Sequence, residues 1–327
     1  LVYAANGQKT LRPDLATFMQ LELEMQMRGY VATRIMGAFQ AVVASGLFKM
    51  IRLKSLLAQA NADTKRGSKG NFNQGDYEYV EADFRTLEYG WEEPIDKNEA
   101  KMYANFLDAE EVATMRAWEH VLSGLESRVL DKAVTAVIAA NQKANATAAW
   151  TSHASAVPMT DVKTARRAVW LRTGRRPNTV AMAYEDFDDC RRCAQVVDAI
   201  AAQGAGDRVK PGDINAAMLA QVFDVEQVVV ADSIKNTANI GQNATVASLW
   251  PEGKVWVGVT TNSKDFKTPC FGRVFHYGGD QAESGAIGTV DQYDWEPTDS
   301  LITRVRNQTD EKILYQEMAQ VIEAVRG

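Results

Sequence analysis

Apolar and polar positions alternate with a period of two in FKMIRL, residues 48–53, the mark of a half-buried β-strand, and DYEYVEADF at 76–84 repeats it. Between them ANADTKRGSKGNFNQG, 60–75, is rich in Gly, Asn and Lys and nearly free of aliphatic residues. That composition predicts a loop tip, and hence one long hairpin. With arms of roughly 15 to 20 residues at about 3.3 Å each, the hairpin reaches on the order of 50 Å, more than a compact domain needs. An isolated two-stranded ribbon is marginal in water. It therefore either docks on another subunit or folds back on its own domain as an insertion.

Helical periodicity is strongest after the hairpin. Met115, Trp118, Leu122, Leu125 and Val129 follow one another at steps of 3, 4, 3 and 4, which places them on one stripe. Asp108 with Glu111 three residues on has the form of a capping box, and few breakers intervene before Asn141. The predicted helix, 108–140, is about 50 Å long and acts as a spine. A looser Met- and Leu-rich helix is expected over Leu15–Arg28, and another over Thr160–Thr173, capped by Thr160 or Asp161 and ended by Gly174.

Short pieces then alternate: strand Thr179–Ala183, helix Asp186–Ala202, helix Ile214–Phe223, strand Gln227–Ala231 and the strand-like KVWVGVT at 254–260. Such alternation indicates a mixed α/β unit. After Gly272 the chain turns to strands, RVFHY (273–277), TVDQYDW (289–295) and LITRVRN (301–307). The closing ILYQEMAQVIEAV fits either a strand followed by a helix or one long strand.

Composition narrows the function classes. A chain of 327 residues with 46% hydrophobic and 24% charged positions predicts two or three globular units. A net charge of −6 and a pI near 5.3 argue against a surface devoted to nucleic acid. The most apolar run, AFQAVVASGLF at 38–48, is too short to span a bilayer, and LVYAANGQKT at the start lacks the form of a secretory leader, so a soluble protein is expected. Three cysteines suit a reducing compartment.

The candidate chemistry is thin. DDCRRC at 188–193 places Cys190 and Cys193 in a C-x-x-C pair, but Cys190 falls a full turn inside its helix beside aspartates, which raise a thiol pKa. Adding Cys270 and His276 completes a Cys₃His set whose spacing fits no known zinc finger. His120, His153 and His276 lie far apart. Asp291, Asp294, Glu296 and Asp299 cluster in DQYDWEPTD, where a polar turn around Pro297 is favoured over an acid–base or cation site. No nucleophile elbow, phosphate loop or dinucleotide fingerprint is present. Hence no catalytic residue, metal ligand or cofactor is assigned.

The order of the pieces carries a resemblance: an arm, a projecting hairpin, a spine helix, a compact α/β unit and returning strands. It is matched by wording, with RGYVATRIM (28–36), FNQGDYEY (72–79), ADFRTLEYGWEEPIDKNEA (82–100), DAEEVATMRAWEHVL (108–122), AAW (148–150), TDVKTARRAVWLRTGRRPNTVAM (160–182), MLAQVFDVEQVVVADSIKNTA (218–238) and YDWEPTDSLITRVRNQTDEKIL (293–314). From about residue 28 onward the chain resembles the major capsid proteins of tailed bacteriophages, with the Hong Kong-type fold also used by encapsulins and herpesvirus capsids.

The resemblance implies an α+β fold: N-terminal arm 1–47, extended loop 48–97, peripheral domain 98–177 with the spine helix, axial domain 178–275, peripheral strands 276–311 and a return to the axial domain over 312–327. It implies a virion protein, assembled in the host cytoplasm into hexamers and pentamers of an icosahedral head around double-stranded DNA. Its partners would be further copies of itself, with portal, scaffold and decoration proteins, and no membrane. An encapsulin-type compartment is the alternative within this class; a Cys-dependent or zinc enzyme is the alternative outside it. Contacts between subunits are expected at Tyr30, Arg52, Lys54, Glu78, Arg304 and Arg306. Some capsid proteins of this type join subunits by Lys–Asn isopeptide bonds, for which Lys54, Lys65 and Lys69 are the candidates here.

Overall fold

The computed structural model describes residues 10–11, 29–56, 65–66, 68, 70–72, 78–98, 109–136, 142–202, 210–239, 241–263, 265, 268–277 and 288–326. The expected helix over 15–28, most of the hairpin tip, and both ends of the expected spine helix lie outside these residues.

In chain order, β1 (Thr10–Leu11), the short helix α1 (Ala32–Ile35) and β2 (Gly37–Ala41) precede the hairpin strands β3 (Ser45–Ile51) and β4 (Tyr79–Arg85). Next come β5 (Leu87–Asp96) and the spine helix α2 (Ala109–Leu130), which runs on into a π-helical turn, Asp131–Ala136. The following segment holds β6 (Lys143–Asn145), α3 (Pro158–Thr173), β7 (Thr179–Ala183), α4 (Tyr184–Arg192), α5 (Ala194–Ile200), α6 (Ala216–Phe223) and β8 (Gln227–Ala231). The chain closes with β9 (Ile234–Asn236), β10 (Val246–Ser248), β11 (Val255–Gly258), β12 (Gly272–Tyr277), β13 (Thr289–Trp295), β14 (Ser300–Ile313) and β15 (Ala319–Glu323).

Two sheets organise these elements. One has the order β1-β13-β14-β12-β2 with β5 also on β14; the other is β6-β15-β11-β7-β8. The spine helix packs on the first sheet through Ala117, Trp118, Val121, Leu122, Leu125 and Val129, all buried. A separate hydrophobic cluster fills the second unit, with Trp150, Val162, Met182, Phe187, Cys190, Val196 and Leu219 among its members. Gly174 ends α3 at φ 70, and its amide returns to the carbonyl of Trp170. A side chain in that left-handed conformation would be strained, which is why the helix stops there.

Several expectations are revised. Residues 87–96, read as part of the extended loop, form a ten-residue strand in register with β14 from Ser300↔Asp96 to Thr309↔Leu87. β14 runs for 14 residues, twice the expected length. Beyond Arg306 its inward positions are Asn307, Thr309 and Glu311, so no apolar alternation marked the strand; Arg128 of the spine helix bonds both Thr309 and Glu311 instead. The expected helix 186–202 is broken at Cys193, which is extended at φ −66, ψ 133 while the amide of Ala194 donates to the His153 carbonyl. α3 starts at Pro158, and Asp161 is no cap: its buried carboxylate accepts from the amide and hydroxyl of Thr147 and from the indole of Trp150. The C-terminus resolves to a 3₁₀ turn, Gln316–Met318, followed by β15.

Candidate assembly surface

The hairpin is built as two faces. β3 and β4 pair antiparallel from Ser45↔Arg85 to Ile51↔Tyr79, so that alternate side chains share a side. Phe48 and Met50 from one strand and Phe84 from the other turn inward onto Phe275 of β12. The Phe84 and Phe275 rings stack at 4.7 Å, and Phe48 lies 5.8 Å from Phe275. Tyr315 adds a hydrogen bond from its hydroxyl to the Ile51 carbonyl at 3.1 Å. The described strands of the hairpin are therefore fastened to their own domain, as in the second of the two alternatives, folding back, while their opposite face is left for a neighbour.

The opposite face is turned to solvent. Leu47 is 78% exposed there, and Val42 in the turn before β3 is 91% exposed. Two ion pairs bridge the strands alongside them, Lys49–Glu81 at 3.6 Å and Arg52–Glu78 at 2.9 Å. Arg52 and Glu78 thus meet each other at the point where the ladder ends, and the Arg52 amide donates to the Glu78 carbonyl. Beneath the far end of the β3–β4 ladder a cavity of about 380 Å³ is walled by Met50, Leu53, Val80, Leu314 and Tyr315, with Arg172 and Glu317 also lining it. The signal for Val42 and Val43 was present in AFQAVVASGLF, but an apolar run alone does not say which members face water.

Tyr30 does not face outward. It is 5% exposed and belongs to the core around the spine helix, so its ring is spent within its own chain. What holds this segment is Glu126, a fully buried residue of α2 whose carboxylate accepts the amides of Val31 at 3.0 Å and Ala32 at 2.7 Å. Burial pushes the Glu126 carboxyl up to about 7, against the opposing pull of those two amide bonds.

Arg304 and Arg306 are also engaged at home. Both reach the buried Asp291, at 2.7 and 2.9 Å, while Arg304 extends to Glu92 at 3.8 Å and Arg306 to Glu88 at 3.1 Å. The five side chains tie β13, β14 and β5 together. The rest of the acidic cluster behaves as a turn: Asp294 and Asp299 hold Lys97 at 3.0 and 3.3 Å, and Glu296–Thr298 form a single 3₁₀ turn. The side chain of Lys54 and all of Lys69 lie outside the described residues; Lys65 is described and exposed.

The cysteines sit in packing positions. Burial pushes the Cys190 thiol well above its ordinary value and Cys193 up to about 12. Cys270 belongs to a different hydrophobic cluster, beside Phe275, and is raised by burial as well. Among the described residues no group of three or more His, Cys, Asp or Glu is placed to hold a metal ion. His120 stacks on Trp91, ring centroids 4.0 Å apart, joining the spine helix to β5.

The described architecture is a spine helix on one sheet, a second α/β unit and a two-stranded ribbon packed on Phe275 whose outer face carries Leu47 and Tyr79 among charged residues. No protein-family model matches the chain, and no curated protein matches its sequence. Solved structures do match in fold. The chain is similar to a phage-related protein from Bordetella bronchiseptica RB50, at 17% identity and a TM-score of 0.68, covering 97% of this chain and 98% of that one. It is similar to a chain of the capsid of Cyanophage P-SCSP1u, at 10% identity and TM-score 0.54, covering 89% and 87%. It is also similar to the SrpI encapsulin of Synechococcus elongatus PCC 7942, at 11% identity and TM-score 0.53, covering 98% and 92%. The fold is the Hong Kong-type phage capsid fold. No helix among the described residues is long and apolar enough to cross a membrane.

Proposed function

We propose that this chain is the major shell subunit of a tailed-bacteriophage head, assembling through hexamers and pentamers into a closed icosahedral capsid around double-stranded DNA. The observation that carries the reading is the β3–β4 ribbon with the turn that leads into it: the turn presents Val42 and Val43 to solvent, and the outer face of the ribbon presents Leu47 and Tyr79, on a chain of phage-capsid fold. Apolar groups in that number are stabilised when a neighbouring subunit covers them. Arg52 and Glu78 on the same ribbon are the charged residues best placed to meet that neighbour, with Lys54 following in the turn Leu53–Leu56. Arg304 and Arg306 act instead by bracing the sheet from within. The domains follow the peripheral and axial division implied by the resemblance, with β5 assigned to the peripheral sheet. Portal, scaffold and decoration proteins would join such a head in a virion built in the host cytoplasm.

Negative-stain microscopy of the purified protein is the test. Closed particles or capsomer rings are the expected result; a monodisperse monomer at every concentration and ionic strength overturns the proposal. An encapsulin-type compartment is the second reading, favoured by the similarity to the Synechococcus encapsulin. Particles holding nuclease-protected DNA support the phage head, and particles loaded with an enzyme support the compartment.

A further inference from the structure

The strongest unassigned feature is the outward side of α3. Between Val162 and Pro177 the sequence holds six cations, Lys163, Arg166, Arg167, Arg172, Arg175 and Arg176, and no carboxylate, in a chain whose net charge is −6. Arg166 is held by Asp224 at 2.9 Å, Arg172 donates to the Ala319 carbonyl at 3.0 Å, and Arg176 lies near Asp224 and Glu226. Lys163, Arg167 and Arg175 are exposed and have no ion-pair partner among the described residues. On the helix, Lys163, Arg167 and Leu171 follow at four-residue steps, about 6 Å apart along the axis. Leu171 is 63% exposed and its neighbour Trp170 43%, while Val162, Ala165, Val169 and Thr173 are buried on the opposite side.

One ordinary explanation falls short. Cations suit a helix C-terminus, but that effect fades within the last turn, and Lys163 and Arg167 lie before it in Pro158–Thr173. A second copy of this chain is the other candidate, since Asp131, Asp198 and Asp213 are exposed and have no ion-pair partner among the described residues. On the ribbon and sheet, by contrast, Glu78 is paired with Arg52, Glu81 with Lys49, Glu88 with Arg306 and Glu92 with Arg304. What favours nucleic acid over a carboxylate surface is the exposed indole beside the cations. Cations in line beside an exposed indole are the arrangement that holds a nucleic-acid strand, with phosphates on the cations and a base on the aromatic ring. The chain's overall negative charge does not cancel this local field, because screening confines each charge to about 8 Å at physiological salt.

We propose that the Lys163–Arg167–Trp170–Leu171 face of α3, with Arg175 beyond it, is a sequence-independent binding surface for the nucleic-acid backbone. This deepens the shell reading and rests on it only for the source of the nucleic acid: the phosphate contacts to the cations serve a duplex or a single strand, and the indole contact serves a single strand alone. The test uses full-length, unassembled protein and a fluorescently labelled single-stranded oligonucleotide, with anisotropy read across a salt series. K163Q/R167Q should weaken binding at least about 10-fold and reduce the slope of log affinity against log salt by about 1.4. W170A should weaken single-strand binding about 10-fold with the slope unchanged. K210Q/K235Q removes the same charge from exposed positions elsewhere and should change affinity less than about 2-fold.

Circular dichroism checks the fold of each variant. If K163Q/R167Q does not fold, R167Q alone, with a slope reduced by about 0.7, decides. Equal loss in K163Q/R167Q and K210Q/K235Q, no binding by the wild-type protein at low salt, or a poly-glutamate chain bound as tightly as the oligonucleotide would each overturn the inference. None of these touches particle formation, and absent particles would not touch this measurement, so the two readings fail separately.

Discussion

Glu126 of the spine helix accepts the Ala32 amide at 2.7 Å, and its carboxylate also takes the Val31 amide, so one buried side chain serves as the cap that α1 lacks in its own sequence. This single residue fastens the segment entering from the arm to the longest helix among the described residues. Because Glu126 is buried, its protonation is coupled to folding.

The folded carboxyl titrates at about 7, above its ordinary 4.5. The folded state therefore binds the proton more tightly than the unfolded one. The associated stability is fully present below pH 4.5 and is lost as pH rises through 7, on the order of 3 kcal/mol in all. E126Q keeps an acceptor oxygen and removes the titration. Melting curves from pH 4.5 to 8 should show the difference between wild type and E126Q growing with pH in favour of the variant. Taking the difference removes Asp186, which burial raises to about 6 and which acts in the same direction. A constant difference across that range would contradict the assignment.

Phe275 is the anchor of the ribbon root, stacked on Phe84 and flanked by Phe48 and Phe39. F275A should cost about 3 to 5 kcal/mol. Its more specific effect is local: hydrogen exchange should speed up in β3 and β4 well before it does in β7 or β11. Uniform acceleration would mean that the ring supports the whole domain and not the ribbon in particular.

Arg52 and Glu78 form a pair more than half exposed on both sides, so its removal should change the stability of the unassembled chain by less than about 1 kcal/mol. Assembly should respond differently. R52E places two like charges together on the face proposed to dock, and the swap R52E/E78R restores the internal pair while altering the surface seen by a neighbour. Light scattering during assembly should show both variants impaired. Recovery in the swap alone would assign the pair to ribbon stability.

The thiols of Cys190 and Cys193 are raised by burial, so little thiolate exists at pH 8. Labelling by a disulfide reagent at that pH should be slow in the native protein and fast in denaturant. C190A should be tolerated better than C190S, which buries a hydroxyl in an apolar cluster. Rapid native labelling, or stoichiometric zinc in the intact protein, would return the pair to chemistry.

The sequence by itself determined the elements whose burial follows a local period. The stripe from Trp118 to Val129 and the hairpin alternation in FKMIRL were legible because one face of each meets the core and the other does not, and strands Thr179–Ala183 and Gln227–Ala231 because a short apolar run marks a strand buried on both faces. The left-handed stop at Gly174 was legible for a similar reason, since glycine bears that conformation without strain. Tertiary structure decided what local periodicity cannot express. The far half of β14 buries Asn307, Thr309 and Glu311, a polar inward face that is a strand only because β5, β12 and Arg128 meet it. Tyr30, Arg304 and Arg306 looked like surface residues in isolation, and long-range partners took them up: the spine core for Tyr30, Asp291 for the two arginines. A charged or aromatic residue carries no local mark of its partner. Whether it faces water or its own chain is set by contacts far apart in sequence.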